Sequence, residues 1–335
     1  MSGKRVVCFG ELLLRLGAPG RERLLQTPQL NVHVGGAEAN VAVALAHFGH
    51  SSALLSILPD NALGAAAVGE MRRQGVDTSH IGRADGRMGL YFLETGAMHR
   101  PSDVLYDRAG SAFALALPDA FDWNALVGAD VLHISGITPA IGANPAQAAI
   151  HAVASARARG ITVAFDGNFR AKLWRTRDAN PAEILRPLFA GADVLFADHR
   201  DIGVALGRDF TSQDPLDDAA AAAFAAFPQL ARIACLQRIQ HSVDQHELCA
   251  RLYSRDDCVS SESCSIGPIV DRIGAGDAFA AGLLHGVCNA MSDRDMLDFA
   301  HAAACLKHSL PGDSLQLSAA EVAAFVGERR FDVRR

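Results

Sequence analysis

The sequence predicts an α/β protein: a mostly parallel sheet flanked by helices on both faces, with a smaller sheet projecting from it. Three observations predict this. From residue 130 onward, short apolar runs (131–134, 161–165, 193–197, 232–236) alternate with helix-competent segments, the pattern of parallel strands covered on both sides. Between residues 84 and 113 that rhythm breaks. Two strand-like runs, 88–94 and 103–108, follow each other with no helix between them, which calls for an antiparallel hairpin. Finally, the glycine pairs Gly35-Gly36 and Gly274-Ala275-Gly276 each open onto an alanine-rich helical run, and the free N–H groups of a helix start favour an anionic ligand.

The 335 residues are enough for a large core and read as one domain, 1–335, with inserted segments at about 11–34 and 84–113. Half of the chain is hydrophobic and a fifth is charged, the composition of an ordinary globular protein. A net charge of −6 without any long basic run argues against nucleic acid as a partner. No apolar run reaches the roughly 18 residues that a membrane span needs, so no membrane partner is expected. The opening Met1-Ser2-Gly3-Lys4-Arg5 leads into an apolar strand with no signal-peptide pattern, so the expected location is cytoplasmic. The seven cysteines include no C-x-x-C pair and the thirteen histidines no ligand-spaced cluster. Free thiols and no protein-held metal are therefore expected.

In order along the chain, residues 5–9 form the first strand, and 12–16 either extend it or begin another. Residues 17–28, rich in Gly, Pro and Arg, are loop. After Gly35-Gly36-Ala37-Glu38-Ala39-Asn40, the residues Val41, Leu45 and Phe48 share one helical face and Gly49 stops the helix. Residues 53–57 are a strand and 64–74 a short helix. In the hairpin Tyr91, Tyr106 and Arg108 offer two hydroxyls and a guanidinium to a ligand, or are simply solvated; two of only three tyrosines fall in this one insertion. Asn144-Pro145 supplies an N-cap and a first-turn proline for a helix to Arg159. Residues 214–227, with five consecutive alanines, form a surface helix, and 293–308 and 318–326 are two more, separated by the turn Pro311-Gly312-Asp313. Polar residues gather just past the strand ends, at 166–170 and 198–201, where open α/β sheets bind ligands. Asp277, directly after Gly276, either caps a helix or serves as a base beside an anion site.

The segment Gly35-Gly36-Ala37-Glu38-Ala39-Asn40 and the segment Asp271-Arg272-Ile273-Gly274-Ala275-Gly276-Asp277, some 240 residues apart, resemble the two signatures of the ribokinase-like (phosphofructokinase B type) sugar kinases. The resemblance covers nearly the whole chain. Within the family, Tyr91, Tyr106-Asp107-Arg108 and Phe165-Asp166-Gly167-Asn168-Phe169-Arg170 look most like the 2-keto-3-deoxygluconate kinase branch. The resemblance implies a doubly wound α/β domain with a small β-sheet lid. It also implies ATP as donor with Mg2+, room for a monovalent cation, and transfer of the γ-phosphate to the 6-hydroxyl of a small sugar acid, 2-keto-3-deoxygluconate. Asp277 matches the general base and borders both ligands. Gly274, Ala275 and Gly276 match the backbone anion hole. Gly35, Gly36, Ala37, Glu38 and Ala39, with Tyr91, Tyr106, Arg108 and Arg170, match the sugar side, and Asn168 and Arg170 the nucleotide phosphates. A carboxylate-bearing substrate suits the forked guanidinium of Arg108 or Arg170. Lid sheets of this kind expose strand edges, through which a homo-oligomer can form.

Two departures from the family pattern stand out. Asp198-His199-Arg200-Asp201 replaces an Asn-x-x-Glu near magnesium and phosphates, and Gln237-Arg238-Ile239-Gln240-His241-Ser242 replaces a glycine-rich Lys-x-Gly loop on the nucleotide side. Three rival readings follow: a kinase for 5-keto-2-deoxygluconate, fructose or ribose on the same fold; a non-catalytic sensor, which would have no use for Asp277; and a Rossmann dehydrogenase, whose glycine fingerprint is missing after the first strand.

Overall fold

The computed structural model describes residues 3–327; the two ends of the expected domain, 1–2 and 328–335, lie outside them. The strand Arg5–Phe9 sits inside a ten-stranded sheet. Its neighbours are Ser51–Pro59 and then Ile81–Ala84 on one side, and on the other, successively, Val131–Ser135, Thr162–Asp166, Val194–Phe196 and Arg232–Gln240. All of these pairs are parallel. His246–Tyr253 then pairs antiparallel with Arg232–Gln240, and the short strands Cys258–Ser260 and Cys264–Ile266 pair antiparallel with it in turn.

Side chains alternate across the first strand as the pleat requires. Val6 and Cys8 join the core under the helices Ala37–His47, Ala275–Cys288 and Asp293–Lys307. Val7 and Phe9 join the opposite core under Ala143–Ala158, Pro181–Ala190 and Pro215–Ala226. The alanine-rich helix lies on the surface as expected, with one stripe (Leu216, Ala219, Ala220, Ala223) turned inward. The seven cysteines are all free.

The second sheet has four strands in the order Asn31–Gly35, Leu13–Gly17, Leu90–Glu94, Asp103–Asp107. The expected hairpin is present, with Tyr91 directly opposite Tyr106. Residues 12–16 do not extend the first strand: the chain leaves the large sheet at Phe9 and enters the small one at Leu13, with Glu11 buried at the crossing. Ala112 and Phe113, at the far end of the insertion, pack into the core of the large sheet.

One local expectation gives way. Asn144 is not the N-cap of its helix, which starts at Ala143 behind Gly142; its amide donates to the carbonyl of Leu115 at 2.9 Å. The strand read over 232–236 runs on through Gln240, in full register with His246–Tyr253. A ladder residue needs no left-handed backbone, so glycine has no advantage there.

Candidate active site

A cleft of about 950 Å³ opens between the small sheet and the carboxyl ends of the large sheet's parallel strands. Asp277 lies on its floor. The helix Ala275–Cys288 begins behind Gly274, which holds φ = 81° and approaches Asp313 so closely that a Cβ would sit 1.6 Å from the Asp313 carbonyl oxygen. Only glycine meets both conditions. No side chain caps this helix start, so the N–H groups of Gly276 and Asp277 face the cleft with the positive end of the helix dipole.

Asp277 itself makes no cap. Its Oδ2 accepts a hydrogen bond from Asn40 Nδ2 at 2.6 Å. Burial pushes its pKa up to about 7, with Glu38 and Asp313 adding repulsion, while the Asn40 hydrogen bond and the Arg170 guanidinium pull the other way. A carboxyl poised near neutral pH is suited to accept and release a proton. The base reading therefore fits the geometry, and the capping reading does not.

Asn40 is delivered by the other glycine pair. Gly36 has φ = 153°, and a Cβ there would lie 2.3 Å from the Glu11 carbonyl oxygen. Gly36, Ala37 and Asn40 line the cleft. Gly35, Glu38 and Ala39, expected at the sugar, do not. Gly35 and Ala39 border a separate cavity of about 250 Å³, and Gly35 is packed on the Asp313 carboxylate, 2.6 Å from where its Cβ would be. Glu38 is buried, and its Oε1 accepts from Ser135 N, Ser135 Oγ and Thr138 Oγ1 at 2.8–2.9 Å. It braces the helix start against the strand Val131–Ser135. Successive residues of a helix turn by about 100°, so 38 and 39 point away from the side that 37 and 40 share.

The small sheet supplies Tyr91, Tyr106 and Arg108 to the same cleft. Tyr106 is open to it, whereas the Tyr91 hydroxyl donates to Asp313 Oδ2 at 2.5 Å. Arg108 is 5% exposed and its Nε donates to Glu11 Oε2. Its two terminal nitrogens have no protein hydrogen-bond partner among the described residues, so Glu11 anchors the base of the fork and leaves its tips to the cleft.

On the opposite wall, Asp166 ends the strand Thr162–Asp166, and Asn168 and Arg170 follow it. Asn168 adopts φ = 39°, a left-handed conformation that asparagine tolerates better than most residues. Asp198 and Asp201 form a reciprocal capping box on the helix His199–Leu206, and Phe169 N also donates to Asp201 Oδ1 at 3.2 Å. Burial, then the neighbouring Asp198, pushes Asp201 up to about 6. Burial raises Asp166 as well, followed by repulsion from Asp277 and Asp201. Two carboxyls at this end of the cleft, Asp166 and Asp201, are thus held against their own ionisation, while Asp198 beside them is lowered, burial being outweighed by Arg200 and backbone N–H groups.

A family model described as pfkB family carbohydrate kinase matches residues 4–320. The chain belongs to the PfkB family of carbohydrate kinases. Among its curated relatives is a 2-dehydro-3-deoxygalactonokinase of Haloferax volcanii, 34% identical over 317 residues and 95% of each chain. A 2-dehydro-3-deoxygluconokinase of Bacillus subtilis is 27% identical, covering 97% of this chain and 96% of that one. The crystal structure of a 2-dehydro-3-deoxygluconokinase from Thermotoga maritima superposes with a TM-score of 0.91 at 37% identity, over 97% of this chain and 100% of that one.

The structure of this PfkB kinase brings in residues that sequence reasoning did not place. Arg15 is buried on the small sheet and pairs with both Asp271 (2.7 Å) and Asp313 (3.1 Å). Asp271 also accepts from the backbone N–H groups of Ile273 and Gly312. Asp313 is no mere turn residue; it ties Tyr91 and Arg15 of the small sheet to the loop that holds Gly274. A buried Lys307, whose Nζ donates to the Leu310 carbonyl at 3.0 Å, lies within the field of Asp271 and Asp313. Charged residues from three distant chain segments converge here, and no local pattern announces it. Asn40 did leave a signal, since it lies one helical turn beyond Gly36.

Proposed function

We propose that this PfkB kinase transfers the γ-phosphate of ATP to the 6-hydroxyl of 2-keto-3-deoxygluconate. The observation that carries the reading is the placement of Asp277: a carboxyl titrating near 7, held by Asn40 beside an uncapped helix N-terminus, in a cleft whose other wall presents the free tips of Arg108. As the sugar oxygen attacks the γ-phosphorus, its proton passes to Asp277. The bond between the γ-phosphorus and the bridging oxygen breaks, and its electron pair leaves on the new ADP. The N–H groups around Gly274, Ala275 and Gly276 meet the charge on the transferring group. A general base of this kind contributes about 10²–10⁴ in rate.

The acid character of the substrate is supported by Arg108 and Arg170, two guanidinium groups on facing walls, and by the names of the relatives above. Among the described residues the Arg170 guanidinium bonds only the carbonyl of its neighbour Phe169, and its charge is free for a ligand. Mg2+ that travels on nucleotide phosphates needs only one or two protein carboxylates. Asp166 and Asp201 would fit that need, because a nearby cation would favour the ionised form that burial opposes in both; bound there, Mg2+ would neutralise polyphosphate charge. We place the small sheet as a lid over the sugar and the reaction in the cytoplasm, where ATP is supplied. We further propose a homo-oligomer through the lid: both outer strands have unpaired edges and carry exposed apolar residues, Val32 and Leu105.

The Haloferax relative favours a second reading, in which the substrate is the C4 epimer, 2-keto-3-deoxygalactonate. A coupled ADP-release assay over both epimers, 5-keto-2-deoxygluconate, fructose and ribose separates these readings. Turnover on the gluconate form at least tenfold above the rest is expected; preference for a neutral sugar would overturn the acid-substrate reading. Asp277→Asn should retain substrate in calorimetry while turnover falls by at least two decades.

A further inference from the structure

Arg238 and Arg272 line the same cleft as Asp277, yet neither guanidinium forms an ion pair or a protein hydrogen bond among the described residues. Two carboxylates of this region are already engaged. Asp271, next in the chain to Arg272, is held by Arg15 and two backbone N–H groups, and Asp198 is held by its own neighbour Arg200. Desolvation in the cleft comes first in lowering both arginines below the usual range; Arg272 then repels Arg238, while at Arg272 the attraction of Asp271 is followed by repulsion from Arg170. Behind them stand two imidazoles rather than acids: His308, which lines the cleft, and the buried His246. Burial and then Arg238 push His246 down to about 4, so it adds no charge at neutral pH. The result is a pocket end that concentrates positive charge, with Asp271 as a partial counterweight at Arg272 and no ion pair to either arginine among the described residues.

Two guanidinium groups facing a cleft are matched by a polyanion with oxygens spread over several ångströms, since each fork can grip a phosphate in bidentate fashion. They come from different elements than the sugar side does: Arg238 from the strand Arg232–Gln240 and Arg272 from the loop before Gly274, whereas Tyr106 and Arg108 come from the small sheet. We propose that Arg238 and Arg272 form a clamp for the β-phosphate of the donor nucleotide, where they stabilise the charge that gathers on the leaving ADP. This rests on the ATP-dependent kinase reading above and assigns the donor side of the cleft, where the chain has a strand in place of a glycine-rich loop. The bond made and broken is the one already described; the clamp receives the electron pair's charge on the departing β-phosphate and transfers no proton.

The test is calorimetric binding of Mg·ADP, adenosine and 2-keto-3-deoxygluconate to the wild type and to Arg238→Gln, Arg272→Gln and the double variant, with thermal melts alongside. The expected result is a loss of at least tenfold in ADP affinity for each single variant and more for the double, with adenosine and sugar-acid affinities within twofold of wild type. Arg272→Lys should recover part of the loss. The ligand-free variants should melt no lower than the wild type, because a repulsion has been removed. Unchanged ADP affinity would overturn the clamp. A loss confined to the sugar acid would overturn it too, by assigning these arginines to the substrate carboxylate. A wild-type protein that binds no nucleotide at all would instead count against the kinase reading itself.

Discussion

Asn40 Nδ2 donates to Asp277 Oδ2 across 2.6 Å, joining the two glycine-led helices at their first turns. The bond favours the ionised carboxylate and so opposes the burial that raises Asp277 to about 7. A base must be ionised to act, so kcat/KM should rise with pH through about 7. Asn40→Ala removes the opposing bond and should move this acid limb upward by about half a unit or more. A limb that stays in place in pH–rate profiles of the variant would show that Asp277 does not set it.

The same carboxyl should make the fold pH-sensitive. Its folded pKa, about 7, lies above the ordinary 3.8, so the stability linked to its protonation is fully present below about pH 4 and is lost as pH rises to about 7. Asp277→Asn cannot ionise. It should melt like the wild type near pH 4 and higher than the wild type above pH 7, by roughly 1–3 kcal/mol after allowing for solvent in the cleft. An equal difference at both pH values, read by thermal denaturation, would contradict the raised pKa.

Arg108 and Glu11 are 5% and 1% exposed, and removing one partner of such a pair strands a buried charge. Glu11→Gln and Arg108→Gln should each destabilise by about 3–5 kcal/mol, and the double variant by much less than their sum. Urea unfolding of the three proteins measures this; additive losses would mean that the pair is not coupled. Arg108→Gln should also weaken the acid substrate specifically, leaving a neutral sugar little affected.

Gly274 and Gly276 should respond to alanine in opposite ways. At 274 the added methyl meets the Asp313 carbonyl and a left-handed backbone, so the protein should fail to reach a native melt. At 276 no atom lies within 4 Å of the added Cβ, and alanine raises helix propensity by up to about 1 kcal/mol. Gly276→Ala should therefore melt at or above the wild-type temperature while kcat/KM falls at least tenfold, because the methyl occupies ligand space. Full activity in that variant would place the phosphate elsewhere.

The strand 5–9, the alternating core after residue 130, the hairpin of the insertion and both glycine pairs were all legible in the sequence. Each rests on local chemistry: apolar periodicity, the absence of a helix between two strands, and glycine where the backbone must turn back on a neighbour. Gly36, Ala37, Asn168, Arg170 and Gly274–Asp277 line the cleft. Glu38 was misplaced for a reason equally physical. A buried glutamate near a ligand motif looks like a contact, and only helix phase shows that it turns toward Ser135 and Thr138 instead.

Tertiary structure decided what depends on partners far apart in the chain. Arg15, Asp271, Asp313 and Tyr91 become one network only after the small sheet, the loop before the second glycine pair and the segment past Lys307 are brought together. The same assembly leaves Arg238 and Arg272 without an ion pair among the described residues, Asp271 being held by Arg15. An arginine reads the same in a sequence whether it is neutralised or waiting for a ligand. Local propensity determined the elements and the backbone of the anion site, including the place of Asp277 after it; long-range ion pairing and burial determined which charges remain free to act there.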